Sequence, residues 1–226
     1  MHSHYGLQTE RYLSAPFIIH EAQEKDANTQ EVVMFITDYS QKSPETILKE
    51  LKSKSSMQMP SKPDLTDVTY DALLTNYKTL QDPDIIKVKP GQTVRLRLIN
   101  AASGTNVFIK TGDLKGTVIA TDGQPIHPFS DTKFSLAVAQ RLEDAIPSED
   151  LRVVSIPKQG GAYPILAQGE GTQLQTGLIL ATPEASIPSL NEQAKKVEEA
   201  LNYDQERQYK AVTPLAVKKP EQTLLT

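Results

Sequence analysis

The sequence contains no cysteine and no tryptophan among its 226 residues. The lack of cysteine excludes disulfide bonds, zinc–thiolate sites, iron–sulfur clusters and cysteine nucleophiles. It also excludes a blue-copper centre built by this chain alone, because that centre needs a thiolate ligand. The redox compartment therefore cannot be inferred from cysteine usage.

Long apolar runs and a strong charge imbalance are missing as well. No run approaches the roughly 18 apolar residues that a membrane span needs, so no span is expected. The net charge is −4, with lysine and arginine spread along the chain, which gives no sign of a nucleic-acid partner. Residues 1–20 lack a basic start followed by an apolar stretch, so no export signal is predicted, and the chain would be cytoplasmic if Met1 is the true start.

Apolar residues follow the period of strands along most of the chain. The segment EVVMFITDYS (31–40) indicates a buried strand, and SPETILKELKSK (43–54) indicates a helix that begins after the N-cap Ser43. Charged residues 189–203 are predicted to form a short outer helix. Turn residues separate further strand candidates at 105–110, 116–121, 133–139, 151–156, 163–168 and 174–181. This pattern predicts an all-β antiparallel sandwich or barrel with short peripheral helices.

Residues 85–100 contain a Pro-Gly turn followed by strict alternation. The apolar residues point one way along the strand, while Arg95 and Arg97 point the other way. The alternation therefore predicts a strand whose two arginines face solvent.

Two of the four histidines, His2 and His4, are separated by a single residue. Along an extended strand such residues lie on the same face, about 6.5–7 Å apart. This spacing suits two neighbouring metal ions with one ligand each better than a single tetrahedral ion. Taken alone, an isolated His-x-His near a terminus is explained as well by a solvated chain end or a tag remnant.

The residues that follow the pair resemble a known motif. HSHYGLQTERYLSAPFIIH (2–20) resembles the second copper-binding motif of the multicopper oxidases, in which an HSH triplet precedes a Gly-Leu-Gln stretch. Residues 70–144 resemble the second cupredoxin domain of the bacterial members, and share with it the pieces LTN, VKPGQTVRLRLINA, VIATDGQP and AQR. The resemblance continues through 162–182 and so covers nearly the whole chain.

The resemblance implies a fold, a domain division and an activity. The fold would be a cupredoxin-like antiparallel β-sandwich of Greek-key topology. Residues 1–27 would be the end of a first cupredoxin domain carrying the HSH motif, residues 28–205 the second domain, and residues 206–226 a linker towards a third. The complete protein would be a laccase-like or copper-resistance oxidase, periplasmic or secreted. It would couple one-electron oxidation of a phenol or a metal ion to the reduction of O₂ to water.

The resemblance also implies roles for the histidine pair. The family's trinuclear copper cluster takes eight histidines from four paired motifs, so His2 and His4 would each bind one copper of the type-3 pair. The other three motifs, including the one with the type-1 cysteine ligand, are absent from the sequence. The chain is therefore expected to be inactive alone and to need first-domain and third-domain segments as partners. Two alternatives stay open: a standalone cupredoxin-like binding or scaffold module without catalysis, and a non-functional truncated product.

Two methionines and the two remaining histidines are further potential copper ligands. Met57 and Met59 form a thioether pair that could bind Cu(I), although ordinary loop residues explain them as well. His127 is predicted to lie in a surface loop and His20 at the end of a strand. Neither a nucleophile elbow nor a phosphate-binding loop is present, so no catalytic residue is assigned.

Overall fold

The computed structural model describes residues 1–20, 29–53, 65, 68–143 and 154–216. Within these residues the chain forms twelve strands in two sheets, one α-helix and two 3₁₀ turns, Thr9–Arg11 and Glu206–Gln208. The helix α1 spans Pro44–Ser53. The strands are β1 (Thr29–Tyr39), β2 (Ala72–Thr75), β3 (Ile85–Lys87), β4 (Thr93–Asn100), β5 (Val107–Lys110), β6 (Gly116–Thr121), β7 (Gln124–Asp131), β8 (Lys133–Leu136), β9 (Arg141–Glu143), β10 (Val154–Ser155), β11 (Ala162–Gly169) and β12 (Gln175–Ala181). The all-β sandwich predicted from the sequence is confirmed.

The two sheets differ in size and pairing. One has seven strands in the order β10-β6-β9-β4-β1-β2, with β7 paired to β6, and the other has five in the order β3-β12-β11-β5-β8. Most neighbours are antiparallel, as predicted, but β1 pairs in parallel with β4 and β3 pairs in parallel with β12. Both sheets are therefore mixed, because β1 and β3 each enter a sheet beside a strand much later in the chain.

Apolar side chains from the facing surfaces of the sheets form one core. Those without measurable exposure include Met34 of β1, Ile109 of β5, Ile165 of β11 and Leu178 of β12. Burying each such side chain contributes about 1.5–3 kcal/mol to stability. Packing against this core fixes the seven-stranded sheet, and the amino-terminal residues lie beside one end of it.

The prediction that Arg95 and Arg97 face solvent is wrong. Arg95 is 9% exposed and Arg97 only 2% exposed. Strand β4 lies inside its sheet, and Arg97 donates two hydrogen bonds to the Glu31 carboxylate of the adjacent β1, from Nε at 2.7 Å and from Nη2 at 3.2 Å. Alternation thus reported the two faces correctly, but on the second face Arg97 is buried against the partly exposed Glu31 instead of contacting water.

The helix predicted over 189–203 is also wrong, because this segment is irregular, with bends and two isolated β-bridges, those of Gln193 with Leu174 and of Glu198 with Glu170. Its backbone bonds to the loop between β11 and β12 and to the start of β12, with Gln175 N donating to Glu192 O and Ala194 N to Gln173 O. The side chain of Gln168 donates to the carbonyl oxygen of Lys196 at 2.7 Å. These contacts outweigh a modest helix propensity.

Ion pairs of the buried Glu198 with two partly exposed lysines fasten the same segment to the five-stranded sheet. Glu198 accepts hydrogen bonds from Lys110 at 2.5 Å and from Lys133 at 2.7 Å, and its side chain is 7% exposed. Burial alone would raise the pKa of Glu198, but the hydrogen bonds from the two lysines outweigh it and lower the pKa to about 2. The folded state therefore binds the proton of this carboxyl more weakly than the unfolded chain does.

This difference predicts a loss of stability in acid. A carboxyl whose pKa is lowered on folding stabilises the protein above its unfolded value and loses that contribution as the pH falls through the folded value. Between about pH 4.5 and pH 2, wild type should therefore lose on the order of 2–3 kcal/mol that the Glu198→Gln variant does not lose. Urea unfolding across this range measures the difference. Glu199→Gln, at the exposed neighbouring position, should keep the wild-type slope, and a Glu198→Gln slope equal to wild type would contradict the expectation.

Other predictions have mixed outcomes. The helix after Ser43 is confirmed, and the Ser43 hydroxyl accepts a hydrogen bond from Thr46 N at 3.2 Å. His127 is exposed but lies in β7, so the loop prediction for it is wrong. His20 is exposed and follows a segment that is not a strand. Met57, Met59 and residues 151–153 lie outside the described residues. No helix in the described part of the chain is long and apolar enough to cross a membrane.

Candidate metal centre

The histidine pair lies on a short extended segment that is paired with residues further along the chain. The backbone of Ser3 donates to Leu13 O at 3.1 Å, and the backbone of Ala15 donates to Met1 O at 2.9 Å. The terminal amine of Met1 donates in turn to Ala15 O at 2.9 Å. These backbone hydrogen bonds hold residues 1–3 beside residues 13–15.

The two imidazole rings lie side by side on one face of this segment. Their centroids are 4.5 Å apart and their planes are inclined by 37°. Nδ1 of His2 is 3.2 Å from the carbonyl oxygen of Ser3. A proton on Nδ1 donates to that carbonyl, which leaves the lone pair of Nε2 for a metal ion. Both side chains are exposed, so a ligand can reach them.

The side chain of Ser3 points to the face opposite the histidines and is held there by hydrogen bonds. Its hydroxyl donates to Gln8 Oε1 at 2.6 Å and accepts from the backbone of Tyr5 at 3.1 Å. Its carbonyl oxygen accepts from the Thr9 hydroxyl at 2.6 Å. Because side chains alternate along an extended chain, holding Ser3 on one face keeps both flanking histidines on the other.

A cavity of about 550 Å³ opens beside the histidines. Residues 1–4 form one wall, and the opposite wall comes from the sandwich. The sandwich residues lining it include Phe35, Ile99, Asn100, Ala102, Ser103 and Arg141. The histidine pair, on the amino-terminal segment, therefore lies across the cavity from one end of the seven-stranded sheet.

Asp38 holds the loop that forms part of this wall. Its carboxylate accepts from the backbone of Ser103 at 2.9 Å, the backbone of Gly104 at 3.0 Å and the hydroxyl of Thr105 at 3.2 Å. Burial raises the pKa of Asp38, even though these hydrogen bonds act in the opposite direction. Burial likewise raises the pKa of the nearby Tyr12 to about 12, so this phenol stays protonated near neutral pH.

The residues present fit copper as part of a ligand set. A neutral imidazole nitrogen is a favourable ligand for copper, and two are available here on one face. Within the described ranges, no group of three or more histidine, cysteine, aspartate or glutamate side chains converges on a point. The described residues thus offer two adjacent ligands, which is enough for a two-coordinate Cu(I) ion, whereas a copper ion of higher coordination number needs further ligands from elsewhere.

The two-sheet sandwich matches one family of proteins over most of its strands. The family model described as "Multicopper oxidase" matches residues 30–181, which is most of the chain. The chain belongs to the multicopper oxidase family. Copper is therefore the cofactor that membership implies.

Known proteins of this kind are similar to the chain over most of its length. Copper resistance protein A of Escherichia coli is 29% identical over 230 residues, which is 84% of this chain and 36% of that protein. Multicopper oxidase MmcO of Mycobacterium tuberculosis is 28% identical over 205 residues, which is 83% of this chain and 39% of that protein. The chain thus spans less than two-fifths of the length of the curated relatives it matches.

Solved structures of other proteins share the fold of this chain. Fet3p, described as a multicopper oxidase that functions in iron import, superposes with a TM-score of 0.71 at 18% identity and covers 96% of this chain and 39% of its own. The laccase from Botrytis aclada superposes with a TM-score of 0.59 at 22% identity and covers 86% of this chain and 36% of its own. At this identity the likeness shows the fold alone, which is the cupredoxin-like sandwich that the sequence predicts.

Sequence reasoning found the histidine pair but missed the residues that hold it. Ser3 and Gln8 stand within the HSH and Gly-Leu-Gln pieces of the motif, yet nothing in the sequence says that they bond to each other. Tyr77 directly follows the LTN piece, and its contact with Ser14 joins residues far apart in sequence. Such contacts become visible only when the chain is folded.

Proposed function

We propose that this chain is the central part of a multicopper oxidase, in which His2 and His4 each bind one copper of the type-3 pair. The observation that carries the proposal is the pair of exposed imidazole rings, 4.5 Å apart, beside a cavity. Family membership supports copper as the metal. Residues 1–27 then belong to a first cupredoxin domain, residues 28–205 form the second, and residues 206–226 lead towards a third.

The chain's own residues bind and orient the imidazoles. Bound copper supplies the redox chemistry, in which four electrons from substrate and four protons reduce O₂ to two molecules of water. With a proton on Nδ1, His2 would donate to the carbonyl oxygen of Ser3 and would hold the metal through Nε2. Phe35 and Ile99 contribute apolar side chains to the wall of the cavity opposite the pair.

Exposed apolar side chains support the need for partner segments. Tyr5, Phe17 and Ile19 are each more than 70% exposed, although all three lie close in sequence to the histidine pair. Large apolar side chains that stand this far out of the chain offer contact area to another protein segment. We infer that first-domain and third-domain segments cover this surface and supply the remaining ligands. The complete enzyme would be periplasmic or secreted and would oxidise a phenol or a metal ion.

Copper binding by the chain tests the role of the histidines. Cu(I) is titrated against a competing chromogenic chelator, because Cu(I) does not use the backbone amides that Cu(II) recruits at a chain terminus. Wild type should bind Cu(I), and His2→Ala and His4→Ala should each lower the affinity at least about tenfold, because each removes one of two adjacent imidazoles.

His127→Ala is the matched control, because this histidine is exposed on β7 and does not line the cavity. It should leave the affinity unchanged. A wild-type chain that does not bind Cu(I), or alanine variants at positions 2 and 4 that bind it equally well, would refute the proposed ligand role. The chain would then be better described as a cupredoxin-like scaffold module.

A further inference from the structure

The position of the histidine pair depends on residues 11–15. Residues 1–3 have backbone hydrogen bonds to Leu13 and Ala15, which place the HSH segment beside that stretch. Whatever fixes residues 11–15 to the sandwich therefore also fixes where the two imidazoles stand.

A group of aromatic side chains makes this connection. The hydroxyl of Tyr77, in the turn after β2, donates a hydrogen bond to the carbonyl oxygen of Ser14. The Tyr12 ring meets the Tyr77 ring edge-on, with centroids 6.1 Å apart, and stacks on the Tyr39 ring at 6.3 Å. The Tyr77 ring also contacts Phe35 of β1, at 5.8 Å between centroids. Tyr77 thus touches both the core strand β1 and the stretch that carries the histidine segment.

Tyr77 is presented by a tight two-residue turn, which hydrogen bonds between the backbones of Thr75 and Lys78 close on both sides. Asn76 and Tyr77 have φ angles of 51° and 64°, in the left-handed region that residues other than glycine rarely adopt. The Asn76 side chain stabilises this turn by accepting from Phe35 N and donating to Val33 O, each at 3.0 Å. The turn is thereby fixed to β1, and it presents the Tyr77 side chain towards Ser14.

We propose that Tyr77 is a positioning residue, which through Ser14 sets the location of His2 and His4 against the sandwich. The purpose of this contact rests on the copper role proposed above, whereas the contact can be tested without copper. The Tyr77 side chain touches neither imidazole, so it acts only through the paired backbone of residues 1–3 and 13–15.

Amide hydrogen exchange on the 226-residue chain, followed by NMR, tests the positioning directly. Tyr77→Phe keeps the ring and removes the hydroxyl that bonds Ser14. The amides of Ser3 and Ala15, which bridge the two stretches, should then exchange about fivefold faster, as the loss of one hydrogen bond allows. Tyr77→Ala also removes the ring contacts and should accelerate them further.

Tyr163→Phe is the matched control, because the Tyr163 hydroxyl also donates to a backbone carbonyl, that of Gly160, at 2.7 Å. It should leave the exchange of Ser3 and Ala15 as in wild type. Unchanged exchange at Ser3 and Ala15 in Tyr77→Phe, or equal acceleration in Tyr163→Phe, would overturn the proposal.

Copper affinity separates positioning from a purely structural role. In Tyr77→Phe the affinity for Cu(I) should fall about fivefold while the melting temperature stays within about 2 °C of wild type, because the core is untouched. Accelerated exchange together with wild-type Cu(I) affinity would overturn the positioning role. Accelerated exchange in a chain that never bound Cu(I) would uphold Tyr77 as the residue that places the segment and would refute only the copper function.

Discussion

Replacing Asp38 by alanine is expected to lower the free energy of unfolding by about 3–4 kcal/mol, because three hydrogen-bond donors lose their acceptor together. The backbone amides of Ser103 and Gly104 and the hydroxyl of Thr105 all donate to this carboxylate, which is 5% exposed. Water cannot easily replace an acceptor in such a site, so the desolvation of each donor is left uncompensated. Urea unfolding at neutral pH measures the loss.

Two variants separate this cause from a general effect of removing a carboxylate. Asp38→Asn keeps one acceptor oxygen and should lose less stability than Asp38→Ala. Asp71 also accepts from a backbone amide and a hydroxyl, those of Gln41 and Ser40, but on the exposed surface. Asp71→Ala should therefore cost no more than about 1 kcal/mol. Equal losses in Asp38→Ala and Asp71→Ala would show that burial of the donors is not the reason.

Gly177→Ala is expected to cost at least about 4 kcal/mol or to prevent folding, because β11 and β12 are too close to admit a methyl group. A Cβ atom at Gly177 would lie 2.2 Å from the carbonyl oxygen of Ile165 and 3.1 Å from the Cα atom of Leu166. Both are backbone atoms of the paired strand, so relief requires the ladder itself to move. The yield of folded protein and its urea midpoint measure the effect.

Gly123→Ala is the control that separates space from backbone conformation. Gly123 follows Asp122 in the two-residue turn between β6 and β7 and has a φ of 77°, but no atom lies within 4 Å of the position that a methyl group would take. An alanine there should lose only the stability that a left-handed residue costs, about 1–2 kcal/mol. A loss at Gly177 no greater than the loss at Gly123 would contradict the steric explanation.

The period of the apolar residues predicted the strands well, but it did not predict which charged side chains are buried. The alternation over 93–100 placed β4 and its two faces correctly, yet the burial of Arg97 depends on Glu31, which reaches it from a strand far away in sequence. Local pattern reports which side chains share a face. It does not report what covers that face, and so a buried arginine is mistaken for an exposed one.

The failed helix over 189–203 has the same origin. Its residues favour a helix weakly, but glutamine side chains of β11 and β12, such as Gln168 and Gln175, donate to its carbonyl groups and hold it against the sheet. These donors cannot be matched with their acceptors before the two strands are placed. The histidine pair could be found from sequence because its spacing and neighbours are local. Tyr77, whose hydroxyl donates to the carbonyl oxygen of Ser14, lies far from the pair in sequence and could not be found in this way.

The parallel pairing of β1 with β4 has a consequence for how the chain folds. In the ladder between β1 and β4, residues 29–36 lie opposite residues 93–100, so this ladder cannot close by a local hairpin. Pairings between distant segments slow folding, because a long loop must be ordered before any contact forms. Until then the strand VVMFIT (32–37), with no charged residue, presents open backbone groups to other chains. Aggregation during synthesis should therefore begin at β1, and refolding should be most efficient in dilute solution.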